Sequence, residues 1–97
     1  MQRYAKRISY MHFKDIDPAL KADVIAKGTG FYEACGQGIF CNLGDGDVDF
    51  KAVRDVLLEA GFSGWCTVEQ DCDPTLGGTN PARDAAVNRA FLASIGF

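Results

Sequence analysis

Two short stretches carry the residue types from which a polar active site is built. YMHFKDID sets His12, Lys14 and Asp15 close together, and TVEQD ends in Glu69, Gln70 and Asp71. A neutral imidazole and a carboxylate suit Mn²⁺, Co²⁺, Zn²⁺ or Fe²⁺ better than Ca²⁺. His12 and Glu69 are therefore a candidate ligand pair if the fold brings them together. The same residues have plainer uses: a histidine at a strand end is often only hydrogen-bonded, and Glu69 can ion-pair with Lys14. Both readings stand at the level of residue types.

A third stretch, LGDGDVDF, places aspartates at 45, 47 and 49 with glycines at 44 and 46. An EF-hand loop needs glycine at position six and a bidentate glutamate at position twelve. Counted from Asp45, those positions hold Phe50 and Val56. A P-loop fails as well, because no Lys-Ser or Lys-Thr follows the glycines at Walker spacing. What remains is a tight Gly-Asp-Gly turn, with Asp49 placed to cap a helix from Phe50. Asp45 and Asp47 stay available for the mouth of a pocket.

These residues need elements to hold them. Residues 7–14, RISYMHFK, are apolar on both parities and predict a parallel strand covered on both faces. Pro18 to Lys27 reads as a helix, with Asp17 as N-cap, Pro18 at N1 and Gly28 as its stop. One or two further turns are expected over 30–36. The helix from Phe50 to Ala60 carries a stripe of Phe50, Val53, Val56, Leu57 and Ala60, with Gly61 after it. A second strand is predicted over Gly64 to Gln70. The last helix runs from Pro81, capped by Asn80 or Thr79, through Ala86, Val87, Ala90, Phe91 and Leu92 to Gly96.

The resulting order of β, α, α, β, α predicts an α/β chain with a parallel sheet. In such folds ligands sit beyond the carboxyl ends of the strands, where His12, Lys14, Asp15 and 69–71 fall. Alternation puts His12 and Lys14 on the face of Ile8 and Tyr10, and Glu69 on the face of Trp65 and Thr67. Neighbouring strands lie about 4.8 Å apart, so His12 and Glu69 can reach one cation if their faces agree. Two strands leave two unpaired edges and an apolar face, which predicts pairing with another chain or with the rest of a larger sheet. Trp65, Phe31, Tyr32, Phe40 and Phe62 are expected in core and helix-packing positions.

The totals set bounds. Ninety-seven residues, 47% hydrophobic and 24% charged, make an ordinary globular composition. One domain of this size buries only about 60–65% of its unfolded surface. A net charge of −3 with ten scattered basic residues gives no footprint for nucleic acid. No apolar run approaches the roughly 20 residues of a membrane helix. The first residues, MQRYAKRISY, lack the apolar core of a secretory signal, so the cytoplasm is the expected compartment. Cys35, Cys41, Cys66 and Cys72 form two C-x5-C pairs that match neither zinc-ribbon nor redox spacing, and are expected as reduced thiols.

Taken together, YMHFKDID, LGDGDVDFKAV, LLEAGFSGWCTVEQD and NRAFLASIGF resemble the C-terminal stretch of the xylose-isomerase-like TIM-barrel superfamily. That superfamily gathers sugar isomerases, epimerases and endonuclease-IV-like enzymes. The resemblance runs from about Arg7 to Phe97, and within the superfamily the motifs are most like inosose dehydratases and the sugar phosphate isomerase/epimerases related to them.

The resemblance implies a parallel βαβα unit corresponding to the last two strands of a (β/α)8 barrel, a fold of about 250 residues. Residues 1–97 would then be a single C-terminal portion of that domain. It implies His12 and Glu69 as metal ligands from the seventh and eighth strands, Lys14 as a catalytic residue, and Lys14 and Asp15 in or beside the substrate pocket. The implied cofactor is a divalent ion, Mn²⁺, Co²⁺, Zn²⁺ or Mg²⁺, and the implied substrate a small sugar or inositol derivative. Two further ligands, which the family takes from earlier strands, have no counterpart among these residues. The implied reaction is dehydration of a keto-inositol through a metal-stabilised enediolate, or epimerisation where that intermediate is reprotonated on its opposite face. For the 97 residues alone the expectation is an inactive α/β unit that associates with itself or with the remainder of a barrel.

Overall fold

Local chemistry sets the helices where the sequence places them. The computed structural model describes residues 1–75 and 79–97. Helix α1, Pro18–Lys27, starts on Asp17, whose side chain accepts the N–H groups of Ala19 and Leu20, and ends on Gly28 in the left-handed region. Helix α2 is a short segment, Phe31–Gly36. Asp49 caps α3, Phe50–Glu59, by accepting the Ala52 N–H at 3.0 Å. Asn80 caps α4, Pro81–Ser94, by accepting from Arg83. Each cap satisfies an amide that the first helical turn leaves without a partner.

Strands β1, Tyr10–Phe13, and β4, Trp65–Val68, pair in parallel, with Tyr10 opposite Trp65 and Phe13 opposite Val68. Among the described residues, β1 and β4 pair only with each other. Both strands are shorter than the sequence predicts. The ladder covers four register pairs and closes with the Glu69 N–H donated to the Phe13 carbonyl at 2.9 Å. Residues before Ile8 do not extend it but wind into a 3-10 helix, Gln2–Arg7, that buries Ala5.

A small antiparallel pair, β2 at Asp15–Ile16 and β3 at Phe40–Cys41, follows no sequence signal. Two residues per strand are too few for alternation to be seen.

Alternation gives the parallel pair two unlike faces. Phe13, Met11, Cys66 and Val68 turn toward α3 and α4, and the core closes around Phe13, Leu43, Phe50, Leu57, Leu92 and Ile95. Phe13 makes edge-to-face contacts with Phe50 at 5.5 Å and Phe97 at 5.0 Å. Tyr10, His12, Trp65 and Thr67 turn the other way. Trp65 is 82% exposed, and Tyr32 and Phe31 are exposed as well, whereas Phe40 and Phe62 are half-buried. The core placement expected for Trp65, Phe31 and Tyr32 is therefore corrected: Trp65 lies on the sheet face that α3 and α4 leave open, and Phe31 and Tyr32 stand on the first turn of α2.

At the start of β2, Asp15 is only 1% exposed and organises the glycine-rich loop. Its Oδ1 accepts the N–H groups of Ile16 at 3.0 Å and Val48 at 3.1 Å. Its Oδ2 accepts those of Gly44 at 2.9 Å and Gly46 at 3.1 Å. The Asp47 N–H, lying between them, is donated to the Ile16 carbonyl. Gly46 is required by space, because a Cβ there would meet Asp15 Oδ1 and the Ile16 carbonyl. Gly44 is required twice, by its φ of +92° and by the Phe91 ring against which a Cβ would press.

Removing the carboxylate leaves four partly buried amides without their acceptor, at a cost of about 1–3 kcal/mol for each that water does not reach. Asp15→Ala is expected to lower the urea unfolding free energy by about 3 kcal/mol or more. The control Asp47→Ala, which loses only an exposed contact to Lys21 at 3.0 Å, should change it by less than about 1 kcal/mol. Equal effects from the two variants would rule out the organising role of Asp15.

Candidate functional site

The carboxyl ends of β1 and β4 bring three of the four sequence-selected residues into one cluster. Glu69 sits at its centre. Its Oε2 lies 2.7 Å from His12 Nδ1, and its Oε1 accepts a hydrogen bond from Lys14 Nζ, also at 2.7 Å. Lys14 donates a second bond to Asp71 Oδ2 at 2.7 Å and rests over the Phe40 ring, 4.4 Å from its centroid. Beneath the cluster, the Tyr10 ring meets His12 edge-on at 5.2 Å, and the Tyr10 hydroxyl is hydrogen-bonded to that of Thr67.

The charges follow from these contacts. Partial burial acts to lower the Lys14 pKa, but the hydrogen bonds and charges of Asp71 and Glu69 outweigh it and hold the ammonium above its ordinary range. The Lys14 hydrogen bond, and after it the one from His12, hold the Glu69 carboxyl below the usual range. Near neutral pH the site therefore presents an ionised carboxylate shared between an ammonium and an imidazole.

Asp15, the fourth selected residue, lies beside the cluster and not in it. Strand alternation carries it to the side of Phe13, and its four accepted amides fill the roughly four lone-pair positions a carboxylate offers. Asp45 and Asp47 are exposed, and Asp47 pairs with Lys21.

Asp71 was visible at the strand end but without a role. Its parity with Glu69 is the signal that puts both carboxylates around Lys14. Asn88 opens the stretch NRAFLASIGF and is not among the candidate site residues of the sequence. Buried on α4, it accepts the Leu43 N–H at 2.7 Å and donates to Gln70 Oε1 at 3.0 Å, tying the strand end to the loop before α3. A lone amide in an otherwise apolar helix stripe is the sequence sign of such a tie.

A divalent ion fits the donor pair. His12 Nδ1 and Glu69 Oε2, 2.7 Å apart at the strand ends, are the donor types that would hold such an ion. Among the described residues, no group of three or more His, Cys, Asp or Glu side chains converges on one point. The four cysteines are free thiols; burial, with Asp15 adding to it, pushes the Cys41 pKa up to about 11, far from nucleophilic use at neutral pH. A cleft of about 470 Å³ beside Ala5, Val56 and Ala60 lies at the amino ends of the strands, away from the polar cluster. No described helix is long and apolar enough to cross a membrane.

Comparison with known proteins gives these strand ends a context. Residues 1–95 match the family model described as xylose isomerase-like TIM barrel. An inosose dehydratase of Glaesserella parasuis is 35% identical over 95 residues, covering 98% of this chain and 31% of its own length. Inosose dehydratases of Yersinia enterocolitica and Bacillus licheniformis are each 35% identical over 92 residues, covering 95% of this chain and 30% of theirs. The chain thus spans about three tenths of the length of the relatives it matches.

The pH dependence of the cluster has a definite sign. Because the Glu69 pKa is lowered from 4.5, its contribution to stability is present above that value and lost as pH falls through the lower folded value. The difference in melting temperature between the chain and Glu69→Gln should be full near pH 7 and shrink as pH falls below 4.5 and through the lowered folded value. A difference that persisted unchanged into strong acid would contradict the ion-paired cluster.

Proposed function

The chain belongs to the xylose isomerase-like TIM barrel family, and on that footing we propose that it carries the seventh and eighth strand ends of a metal-dependent enzyme acting on a sugar or inositol derivative, with keto-inositol dehydration as the reaction. The observation that carries this reading is the position of Glu69, at a strand end, within 2.7 Å of both an imidazole nitrogen and an ammonium. Carboxyl ends of barrel strands are where such folds hold their chemistry.

In this reading His12 and Glu69 hold a divalent ion, Mn²⁺, Co²⁺, Zn²⁺ or Mg²⁺. Such an ion supplies Lewis acidity toward a ketone and so acidifies the neighbouring C–H. The remaining work falls to the side chains. Lys14 is held by Asp71 and by the Phe40 face as well as by Glu69, so its ammonium would keep its place if Glu69 were engaged elsewhere. Fixed positive charge aimed at a developing oxyanion lowers the barrier without reorganising water. Dehydration follows when the carbon next to the ketone loses its proton and β-hydroxide departs. Epimerisation uses the same residues and differs only in the face that is reprotonated. The general base and the remaining ligands are assigned to parts of the barrel outside these 97 residues. Asp15 acts from beside the pocket, by setting the loop that follows β3.

Calorimetric titration with Mn²⁺ tests the ligand pair without requiring turnover. One ion is expected per chain, with binding at least tenfold weaker in Glu69→Gln and again in His12→Ala. Absence of binding, or equal binding in the double variant, would remove the metal role from these two residues.

A further inference from the structure

Next to the polar cluster, a cleft of about 410 Å³ separates the start of α2 from residues 71–74, with Phe31, Tyr32 and Cys35 on one wall and Asp71, Asp73 and Pro74 on the other. Its two walls are chemically opposed. On the helix side Tyr32 is 87% exposed and Phe31 57% exposed, their rings edge-to-face at 5.6 Å. Phe31 in turn lies 6.0 Å from Phe40, the ring that carries the Lys14 ammonium. A run of aromatic faces therefore leads from Lys14 to the mouth of the cleft. Two large rings left open side by side mark a surface built to be covered.

The other wall offers acceptors. Asp71 gives Oδ2 to Lys14, and Asp73 gives Oδ1 to the Thr75 N–H at 2.8 Å and to its hydroxyl at 2.6 Å. Among the described residues, the second oxygen of each carboxylate takes no hydrogen bond, and both stand ready for a donor. The Lys14 ammonium is shared by Glu69 and Asp71, and Asp73 adds a further carboxylate to the cleft wall, so the cleft is negative overall. With an ion held at His12 and Glu69, the Asp73 end remains negative.

We propose that this cleft recognises the ring of an uncharged polyhydroxylated substrate, with Tyr32 and Phe31 against its C–H face and Asp71 and Asp73 accepting its hydroxyls, and that Asp73 turns away the phosphorylated form of the same ring. The proposal rests on the sugar-enzyme reading above and narrows it to unphosphorylated polyols. Aromatic faces supply apolar area with little loss of side-chain freedom. Ionised carboxylates accept hydroxyl hydrogen bonds strongly and repel a phosphate placed beside them.

The test is a two-dimensional NMR titration of the full chain in chelator at fixed ionic strength, with myo-inositol and with a myo-inositol monophosphate as probes. Saturable shifts at the Tyr32 and Cys72 amides are expected with myo-inositol, and binding at least tenfold weaker with the monophosphate. Tyr32→Ala, at an exposed position, should weaken myo-inositol binding at least tenfold, and Asp73→Asn should narrow the gap between the two probes. Equal or tighter binding of the monophosphate would overturn the proposal. So would shifts that survive Tyr32→Ala, or no saturable shift with either probe. Because chelator excludes divalent ions, failure here leaves the His12 and Glu69 reading standing, and failure of the Mn²⁺ titration leaves this cleft standing.

Discussion

A single buried carboxylate holds together the parts from which the site is made. Asp15 follows directly on the strand that presents His12 and Lys14, and it gathers the amides of Gly44, Gly46 and Val48 from a loop some thirty residues further on. A charge taken out of water is costly unless every lone pair is answered, and here the loop answers them. The glycines follow from this geometry, since a side chain at 46 would strike the carboxylate itself. The loop then delivers Leu43 and Phe50 to the core on either side of the turn. One interaction thus fixes the register between the strand end, the loop and the start of α3.

From that frame the polar cluster inherits its order. Glu69 bridges His12 and Lys14 across the parallel ladder, and Lys14 is held from three sides by Glu69, Asp71 and the Phe40 ring. These are partly exposed contacts, and pairs of this kind contribute little to folding. Their value is placement: an ammonium whose direction is set before a ligand arrives loses less freedom on binding. The two faces of the β1 and β4 pair divide the labour, one carrying the core residues Phe13 and Val68, the other presenting Tyr10, His12, Trp65 and Thr67 outward. In a barrel of the matched family that outward face would point to the barrel interior.

Much of this was legible from residue types. Asp17, Asp49 and Asn80 marked their helices because capping is a local transaction between one side chain and the next turn. His12, Lys14 and Glu69 met as expected because strand parity and a parallel register are enough to align them. The resemblance puts Asp15 in or beside the pocket with Lys14, and the parity it shares with Phe13 turns it to the other side of the strand, where it accepts the loop amides. The loop that surrounds it lies far along the chain, and no local pattern announces that contact. The pair β2 and β3 was invisible for want of length. Trp65, Phe31 and Tyr32 were expected in the core on hydrophobicity alone, which does not say which face of a strand or turn of a helix finds a neighbour.

Amide hydrogen exchange at Gly44, Gly46 and Val48 measures the central interaction directly. If the Asp15 carboxylate holds the loop to the strand end, these amides should exchange only on global unfolding, with the protection of core amides such as those of Leu57 and Val68. Exchange at the rate of exposed turn amides would mean that the loop opens on its own, and that the frame presenting His12, Lys14 and Glu69 is not set by Asp15.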